Sequence, residues 1–341
     1  MAEGLKLLKR TIMVFDVPAE SGGALTILNE YYKEAVRGND QNEIWYFVIS
    51  TPNLTETETV KVLRFPWVKK SWFHRLYFDI FVAPRLVKKY NVDEILSLQN
   101  VIIPKIKVPQ TLYVHQTLPF IDKKFKVTEN LKCWVYQNII GRMIFKSLRK
   151  ANKVIVQTNW MKNACIEKVD IKPEKITVVA PKIDIGIKKY FEPTEENKRT
   201  FFYPASGLIY KNHKLIVDAA LVLKERGVSD YKVIFTLRGN ENKHVEKLYN
   251  QVKEANLPIK FIGTVTREQV FNYYSRSVLI FPSYIETFGL PMLEAKLHHA
   301  PVLASDMSFS HEILDGYENV QYFSPEDAEG LAEMMEHNIV G

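Results

Sequence analysis

Short apolar runs bounded by turn residues recur along the chain, separated by longer segments whose apolar residues return every three or four positions. Thr11 to Val17, Glu43 to Ile49, Val60 to Phe65, Glu94 to Leu98, Thr111 to Val114, Val154 to Gln157 and Ile176 to Val179 read as strands. Ala24 to Val36, Ser71 to Tyr90 and Glu129 to Lys150 read as helices. The pattern then starts again: strands at Phe201 to Pro204, Lys232 to Leu237, Lys260 to Ile262, Val278 to Phe281 and Val302 to Ala304 alternate with helices at Asn212 to Arg226, His244 to Ala255, Glu268 to Ser275, Pro291 to His298 and Pro325 to His337. Strands alternating with helices predict parallel sheets covered on both faces. The polar stretch Asp184 to Arg199, interrupted by Pro193, reads as a linker, which predicts an α/β protein of two doubly wound domains, residues 1–185 and 186–341, facing across a cleft. Ligands of such sheets bind beyond the carboxyl ends of the strands, so the loops after strands are where chemistry is expected.

One such loop is rich in chemistry. After the strand ending at Phe281, Pro282 and Ser283 break the run, and Pro291 suits the first position of a helix, where its missing N–H costs nothing. The N–H groups of Phe288, Gly289 and Leu290 at that helix start would point toward an anion or oxygen above the strand. Glu286 falls in the loop and Glu294 in the expected first turn, so both carboxylates are placed to accept hydrogen bonds from the hydroxyls of one sugar or ribose. A purely structural reading also exists, because an acidic first-turn residue gains roughly 0.3–1 kcal/mol from the helix macrodipole.

Other strand ends carry weaker signals. Gly22 and Gly23 follow the first strand and fit either a plain turn or a close ligand approach. His115 ends a strand, as a structural hydrogen-bonder or at a site. In Tyr203-Pro-Ala-Ser206-Gly207-Leu-Ile-Tyr-Lys211-Asn212, Lys211 is a flexible cation for a diphosphate and Asn212 is placed to cap the next helix. Arg238 and Gly263 end two further strands.

Composition narrows the partners. With 46% hydrophobic and 25% charged residues the 341-residue chain is an ordinary globular protein with room for two cores. No run reaches the roughly 18 apolar residues of a membrane span, and no secretory leader is read at the N-terminus. Cys133 and Cys165 lack metal-ligand spacing and are expected as free thiols in a reducing cytoplasm. The net charge of +7 favours an anionic partner. Basic and aromatic residues cluster at Trp67 to Phe78, continuing to Lys89, and at Lys123 to Lys150, as a membrane-interface surface or as core helices with a solvated basic face. No nucleic-acid-binding motif accompanies the charge.

Strand, Glu286, Phe-Gly-Leu-Pro and Glu294 together resemble the Glu-x7-Glu signature of the retaining glycosyltransferases of family 4 (glycosyl transferases group 1), of the bacterial surface-polysaccharide type. The layout is similar over nearly the whole chain, and the specific motifs lie in the second half. The resemblance implies the GT-B fold: two Rossmann-like domains, the first on the acceptor side and the second binding a nucleotide-sugar. It implies retaining transfer of a hexosyl group from a nucleoside diphosphate-sugar to an acceptor hydroxyl. His115, Glu286 and Lys211 would serve the reaction, and Gly22, Gly23, Ser206, Arg238, Gly263, Phe288, Gly289, Leu290 and Glu294 would bind the donor. Within that division Glu286 would hold the sugar hydroxyls and Glu294 the ribose. The donor is a substrate, and no cofactor or metal is expected, since no Asp-x-Asp sequence occurs. Ser305, Asp306 and Glu312 match family positions expected to shape loops.

Two departures stand out. Many members carry arginine where this chain has Ala205, which leaves diphosphate neutralisation to Lys211 with Arg238. Members also continue past the helix at Pro325 to His337 with a segment returning to the first domain, whereas this sequence ends at Gly341. The basic-aromatic first half points to a lipid-linked saccharide as acceptor, met at the inner face of the cell membrane by a cytoplasmic, peripheral enzyme in polysaccharide or O-antigen assembly. A non-hydrolysing sugar-nucleotide epimerase of GT-B fold and a non-catalytic sugar-nucleotide binder are the alternatives.

Overall fold

Residues 11–16 of the first strand are buried without interruption, as expected of a strand covered on both faces. In the computed structural model, which describes residues 9–38, 40, 42–181, 186 and 189–340, the chain forms two units, Met1–Lys182 and Ile183–Gly341. The first is built from β1 (Arg10–Asp16), α1 (Gly22–Gly38), β2 (Glu43–Ile49), β3 (Val60–Arg64), α2 (Trp72–Tyr77), α3 (Ala83–Lys89), β4 (Glu94–Ser97), β5 (Gln110–Tyr113), α4 (Leu131–Val135), α5 (Gly141–Lys150), β6 (Lys153–Val156), α6 (Asn159–Val169) and β7 (Ile176–Val178). Its strands run parallel in the order β3-β2-β1-β4-β5-β6-β7. Alternation along β1 decides the layers: Val14 packs with Ile27 and Leu28 of α1, whereas Met13 and Phe15 face Phe78, Ala83 and Val87. A third cluster under β5 and β6 joins Leu112, Val154, Ile144, Leu148 and Met161.

The second unit contains α7 (Glu195–Lys198), β8 (Thr200–Tyr203), α8 (His213–Glu225), β9 (Lys232–Phe235), α9 (Lys243–Glu254), β10 (Ile259–Phe261), α10 (Arg267–Tyr274), β11 (Val278–Phe281), α11 (Leu290–Leu297), β12 (Val302–Ser305), α12 (Ser308–Leu314), β13 (Val320–Phe323) and α13 (Ala328–Val340). Its parallel order is β10-β9-β8-β11-β12-β13. Phe201, Phe202 and Tyr203 are fully buried at its centre. At roughly 1.5–3 kcal/mol per large apolar side chain removed from water, such rows are what hold each sheet together.

Several elements differ from their expected limits for identifiable reasons. The first helix begins at Gly22 rather than Ala24, with Gly22 itself in the left-handed region at φ +61°. The helix expected over Glu129 to Lys150 begins at Leu131, because the Asn130 side chain accepts the Cys133 N–H and caps it there. The Ser71 to Tyr90 and Glu129 to Lys150 segments each contain a π-turn, Phe78–Val82 and Tyr136–Ile140. In the first, the Ala83 N–H reaches back to the Phe78 carbonyl just ahead of Pro84, which has no N–H to offer. In the second the Gly141 N–H reaches Tyr136, and a Cβ at Gly141 would lie 3.0 Å from the Pro119 Cβ.

The Asp184 to Arg199 segment is no free linker over its second half. Residues 184, 185, 187 and 188 lie outside the described residues. From Phe191 onward the chain is tied to the second unit, through Phe191 N–H to His298 O at 2.8 Å and Glu192 N–H to Ser275 O at 3.1 Å. Thr194 then caps α7 by accepting the Asn197 N–H.

The tip of β1 carries an unusual group. Asp16 is fully buried, and neither carboxyl oxygen has a hydrogen-bond partner among the described residues. Burial pushes its pKa up to about 8, although Arg75, the nearby Ala19 N–H and Lys69 pull the other way. A pKa raised on folding contributes stability that is complete below the unfolded value and lost as pH rises through the folded one. Asp16→Asn is therefore expected to become more stable relative to wild type by on the order of 2 kcal/mol between about pH 6 and pH 8. Urea unfolding of both proteins at the two pH values measures this, and a difference independent of pH contradicts it.

Candidate active site

In the second unit the carboxyl ends of β8 and β11 lie side by side, since Phe201 and Phe202 pair with Val278 and Leu279. The loops that leave them bring Lys211 and Glu286 into direct contact. Lys211 Nζ donates to Glu286 Oε1, and both side chains are mostly buried, 17% and 15% exposed. Ser283 Oγ donates to the same Oε1 at 3.1 Å, and the Tyr203 hydroxyl lies 2.9 Å from Ser283 Oγ and 2.8 Å from the Lys211 carbonyl. Two hydroxyl protons thus serve three contacts. Tyr203 gives its proton to the Lys211 carbonyl or to Ser283, and Ser283 gives its own to Glu286 or to Tyr203. Burial holds the phenol far above its usual range, so Tyr203 remains protonated. Two further bonds fasten the loops: Tyr284 N–H to Tyr210 O at 3.0 Å, and Ser305 Oγ to Ser283 O at 2.8 Å.

Asn212 does not cap α8 through its side chain as expected. It occupies the left-handed region at φ +58°, and its amide donates to the carbonyls of Pro282 at 3.1 Å and Pro325 at 2.8 Å. It ties the ends of three strands around Lys211. His213, the next residue, is buried against Tyr203 and Phe235, and burial brings its pKa down to about 3, so the ring beneath Lys211 is neutral.

α11 starts at Leu290, with Gly289 at its N-cap and Pro291 in its first turn. Gly289 has φ +85°, and a Cβ there would meet Met292 Cε at 2.5 Å and face Glu286 Cβ and Cγ at 4.0 Å. Among the described residues the N–H groups of Phe288 and Gly289 have no intramolecular acceptor, as expected ahead of a helix start. Glu294, however, lies beyond the first turn, which contains no acidic residue. The macrodipole explanation for it therefore lapses. Its carboxylate accepts from the Tyr274 hydroxyl at 3.1 Å and pairs with Arg267 at 3.5 Å. Burial raises its pKa, opposed by Arg267 and Tyr274.

The two glutamates hence have separate partners and no bond between them. Arg238 is exposed and forms no ion pair among the described residues; it crosses Gly263, whose Cβ position lies 3.3 Å from Arg238 Cγ and whose φ is +75°. Ser206 is exposed on a loop held by Gly207, where a Cβ would collide with Val245 Cγ2 at 2.5 Å.

In the first unit Gly22 and Gly23 open α1 with nothing within 4 Å of either Cβ position. His115 follows β5. The Asn100 side-chain oxygen accepts the N–H groups of His115 and Gln116, at 2.7 and 2.9 Å. This fixes the amide orientation, so Asn100 Nδ2 donates to His115 Nε2 at 3.2 Å and the ring proton resides on Nδ1. Burial lowers the pKa to about 4 and keeps the ring neutral.

Sequence reasoning missed Tyr203 and Ser283 as the support of the ion pair, and Tyr274 with Arg267 as partners of Glu294. A polar residue ending the buried run Thr-Phe-Phe-Tyr was the available signal for the first. The Thr266–Gln269 capping box, which fixes where Arg267 begins α10, was the signal for the last.

Two parallel, doubly wound units of this construction have the GT-B fold. The profile of the family described as Glycosyl transferases group 1 matches residues 186–338, the unit that holds the Lys211–Glu286 pair. Among curated relatives, the chain is similar to the O-antigen chain mannosyltransferase RfbU of Salmonella typhimurium, 24% identical over 291 residues covering 84% of this chain and 74% of the relative. It is also similar to the processive diacylglycerol alpha-glucosyltransferase of Acholeplasma laidlawii, 21% identical over 238 residues, 63% and 67% of the two chains. Among solved structures it resembles Anabaena Alr3699/HepE in complex with UDP and glucose, with TM-score 0.66, 18% identity and coverage of 97% and 90%. WaaG, a glycosyltransferase involved in lipopolysaccharide biosynthesis, gives TM-score 0.69, 12% identity and the same coverage. Together these likenesses support a glycosyltransferase of GT-B fold.

Tyr203→Phe removes the one proton that Lys211 O and Ser283 share and leaves a buried acceptor unpaired. It is expected to lower unfolding free energy by about 1–2 kcal/mol, measured by chemical denaturation. An unchanged midpoint contradicts the reading of the hydroxyl as a fastening.

Proposed function

We propose that the protein transfers a hexosyl group from a nucleoside diphosphate-sugar to an acceptor hydroxyl, with retention at the anomeric carbon, as a member of the family 4 type. The observation that carries this reading is the contact of Lys211 with Glu286 at the carboxyl edge of the sheet. It puts a cation for a diphosphate beside a carboxylate for sugar hydroxyls, within one sugar's reach. On donor binding Lys211 turns to the diphosphate, and the Phe288, Gly289 and Leu290 N–H groups give it further donors. Glu286 turns to the sugar hydroxyls, and the Ser283 hydroxyl rotates to donate a hydrogen bond to the Tyr203 oxygen, while Tyr203 donates to the Lys211 carbonyl. Glu294, oriented by Tyr274 and Arg267, accepts from the ribose. Ser206, Arg238 and Gly263 serve the donor on the second unit, with Arg238 as the cation that Ala205 does not supply.

In the reaction the bond from the anomeric carbon to the diphosphate oxygen breaks and its electron pair leaves with the diphosphate. The acceptor oxygen forms the new bond on the same face, and its proton goes to the departing oxygen. His115 is assigned to the reaction as a group that burial keeps neutral, so that it brings no positive charge of its own to a sugar that gains it. No cofactor enters, and Lys211 takes the place of a metal, so a chelator is expected to leave turnover unchanged. The acceptor is a lipid-linked saccharide at the inner face of the cell membrane, a reading supported by the O-antigen and diacylglycerol relatives.

A thermal-shift screen over uridine, guanosine, adenosine and thymidine diphosphate sugars, followed by turnover with the stabilising donor, tests this. Lys211→Ala is expected to lower kcat/KM by about 100-fold or more, and Glu286→Ala to lower kcat similarly while nucleoside diphosphate alone still binds. Binding without turnover in the wild type would make the protein a sugar-nucleotide binder, and isomerised donor without acceptor would make it an epimerase.

A further inference from the structure

The two helical segments that carry π-turns in the first unit expose an apolar face that the fold does not use. On α2, Phe73 is 84% exposed, Trp72 57%, Tyr77 51% and Leu76 45%, and Phe81 in the π-turn that follows is 47% exposed. The buried side of the same segment is Phe78, Asp79, Ala83 and Val87, so the exposed residues are the opposite face and not frayed core. The Arg75–Asp79 pair at 2.7 Å, with Gln99 on the second carboxylate oxygen at 3.4 Å, fixes the segment's orientation. Trp72 meets Tyr136 edge to face with centroids 6.1 Å apart, which joins this face to the second segment. There Leu131 is 60% exposed and Ile139 51%, and Lys132, Arg142 and Lys146 are exposed around them.

Charge points the same way. Residues 1–182 carry 29 Lys and Arg against 17 Asp and Glu, a net of +12, while residues 183–341 carry 17 against 22, a net of −5. The overall +7 is thus entirely the property of the unit that carries the aromatic face. Exposed Trp and Tyr with a ring of Lys and Arg is the composition that settles at headgroup depth on an anionic bilayer, aromatic bodies among the upper acyl chains and cations at the phosphates. Among the described residues no helix is long and apolar enough to cross a membrane.

We infer that the face formed by Trp72, Phe73, Leu76, Tyr77, Leu131 and Ile139 docks the protein on an anionic lipid surface, inserting its aromatic side chains without spanning the bilayer. Each π-turn adds one residue to its helix and so rotates the following turns by about 100°, which lets one segment present a buried side to the sheet and an apolar side to lipid. The inference deepens the lipid-linked acceptor reading by naming the surface that would meet the lipid. Its test uses neither donor nor acceptor, so the two succeed or fail separately.

The full chain is sedimented with phosphatidylcholine vesicles and with vesicles containing phosphatidylglycerol as well. Wild type is expected to pellet with the anionic vesicles alone, and less so as salt rises. Trp72→Ser with Phe73→Ser is expected to cut partitioning at least tenfold with an unchanged melting temperature, both residues being exposed. Lys70→Glu with Lys132→Glu is expected to lower it by about tenfold or more and to flatten the salt dependence. No pelleting with either vesicle, or pelleting that neither double variant changes, overturns the inference. So does a dimer in solution that Trp72→Ser with Phe73→Ser dissociates, since a second copy would then own the face.

Discussion

The buried hydroxyl of Tyr203 is the point on which the second unit's site depends. It ends the central strand of that sheet and lies within hydrogen-bonding distance of both the Lys211 carbonyl and Ser283 Oγ. These two loops leave different strands, and the shared buried hydroxyl, together with the bond from Tyr284 N–H to Tyr210 O, holds Lys211 opposite Glu286. A long lysine alone would lose roughly 2 kcal/mol of rotamer entropy on being fixed, so its position must come from the backbone beneath it. Asn212 supplies the remainder by binding the carbonyls of Pro282 and Pro325 from a left-handed backbone. Because the hydroxyls of Tyr203 and Ser283 hold two protons for three contacts, the network can follow Glu286 from one partner to another while leaving few buried groups unpaired.

The first unit is organised by the opposite means, neutral groups where charge would be costly. Asp16 at the tip of β1 is held protonated by burial near pH 7, and His115 at the tip of β5 is held neutral by burial while Asn100 fixes its tautomer. Both lie at carboxyl ends of strands, where a parallel sheet places its functional groups. The charge of this unit lies instead on its surface, around helices whose π-turns leave aromatic residues in water.

Much of this was legible from residue order. The alternating pattern located the strands of both sheets to within a few residues, because strands buried on both faces read as unbroken apolar runs such as Val278 to Phe281, and it missed only the edge strand β13, whose residues are half-exposed. The positions of Glu286, Lys211, Gly289 and His115 at strand ends followed from that placement. What was not legible concerns partners in space. Glu294 was expected in a first turn, yet α11 begins at Leu290, so its environment is Tyr274 and Arg267. Asn212 was expected as a side-chain cap, because Asn before a helix usually is one, but two carbonyls from distant loops claim its amide. The π-turns have no periodic signature, since one extra residue shifts the apolar stripe without breaking it.

The central claim is that Lys211 and Glu286 are partners only until the donor arrives. A structure of the protein with an intact nucleoside diphosphate-hexose tests it most directly. The account predicts Lys211 Nζ against the diphosphate, Glu286 against the sugar hydroxyls, and Ser283 turned toward Tyr203. A complex in which Lys211 still holds Glu286 while the diphosphate is bound elsewhere would contradict it.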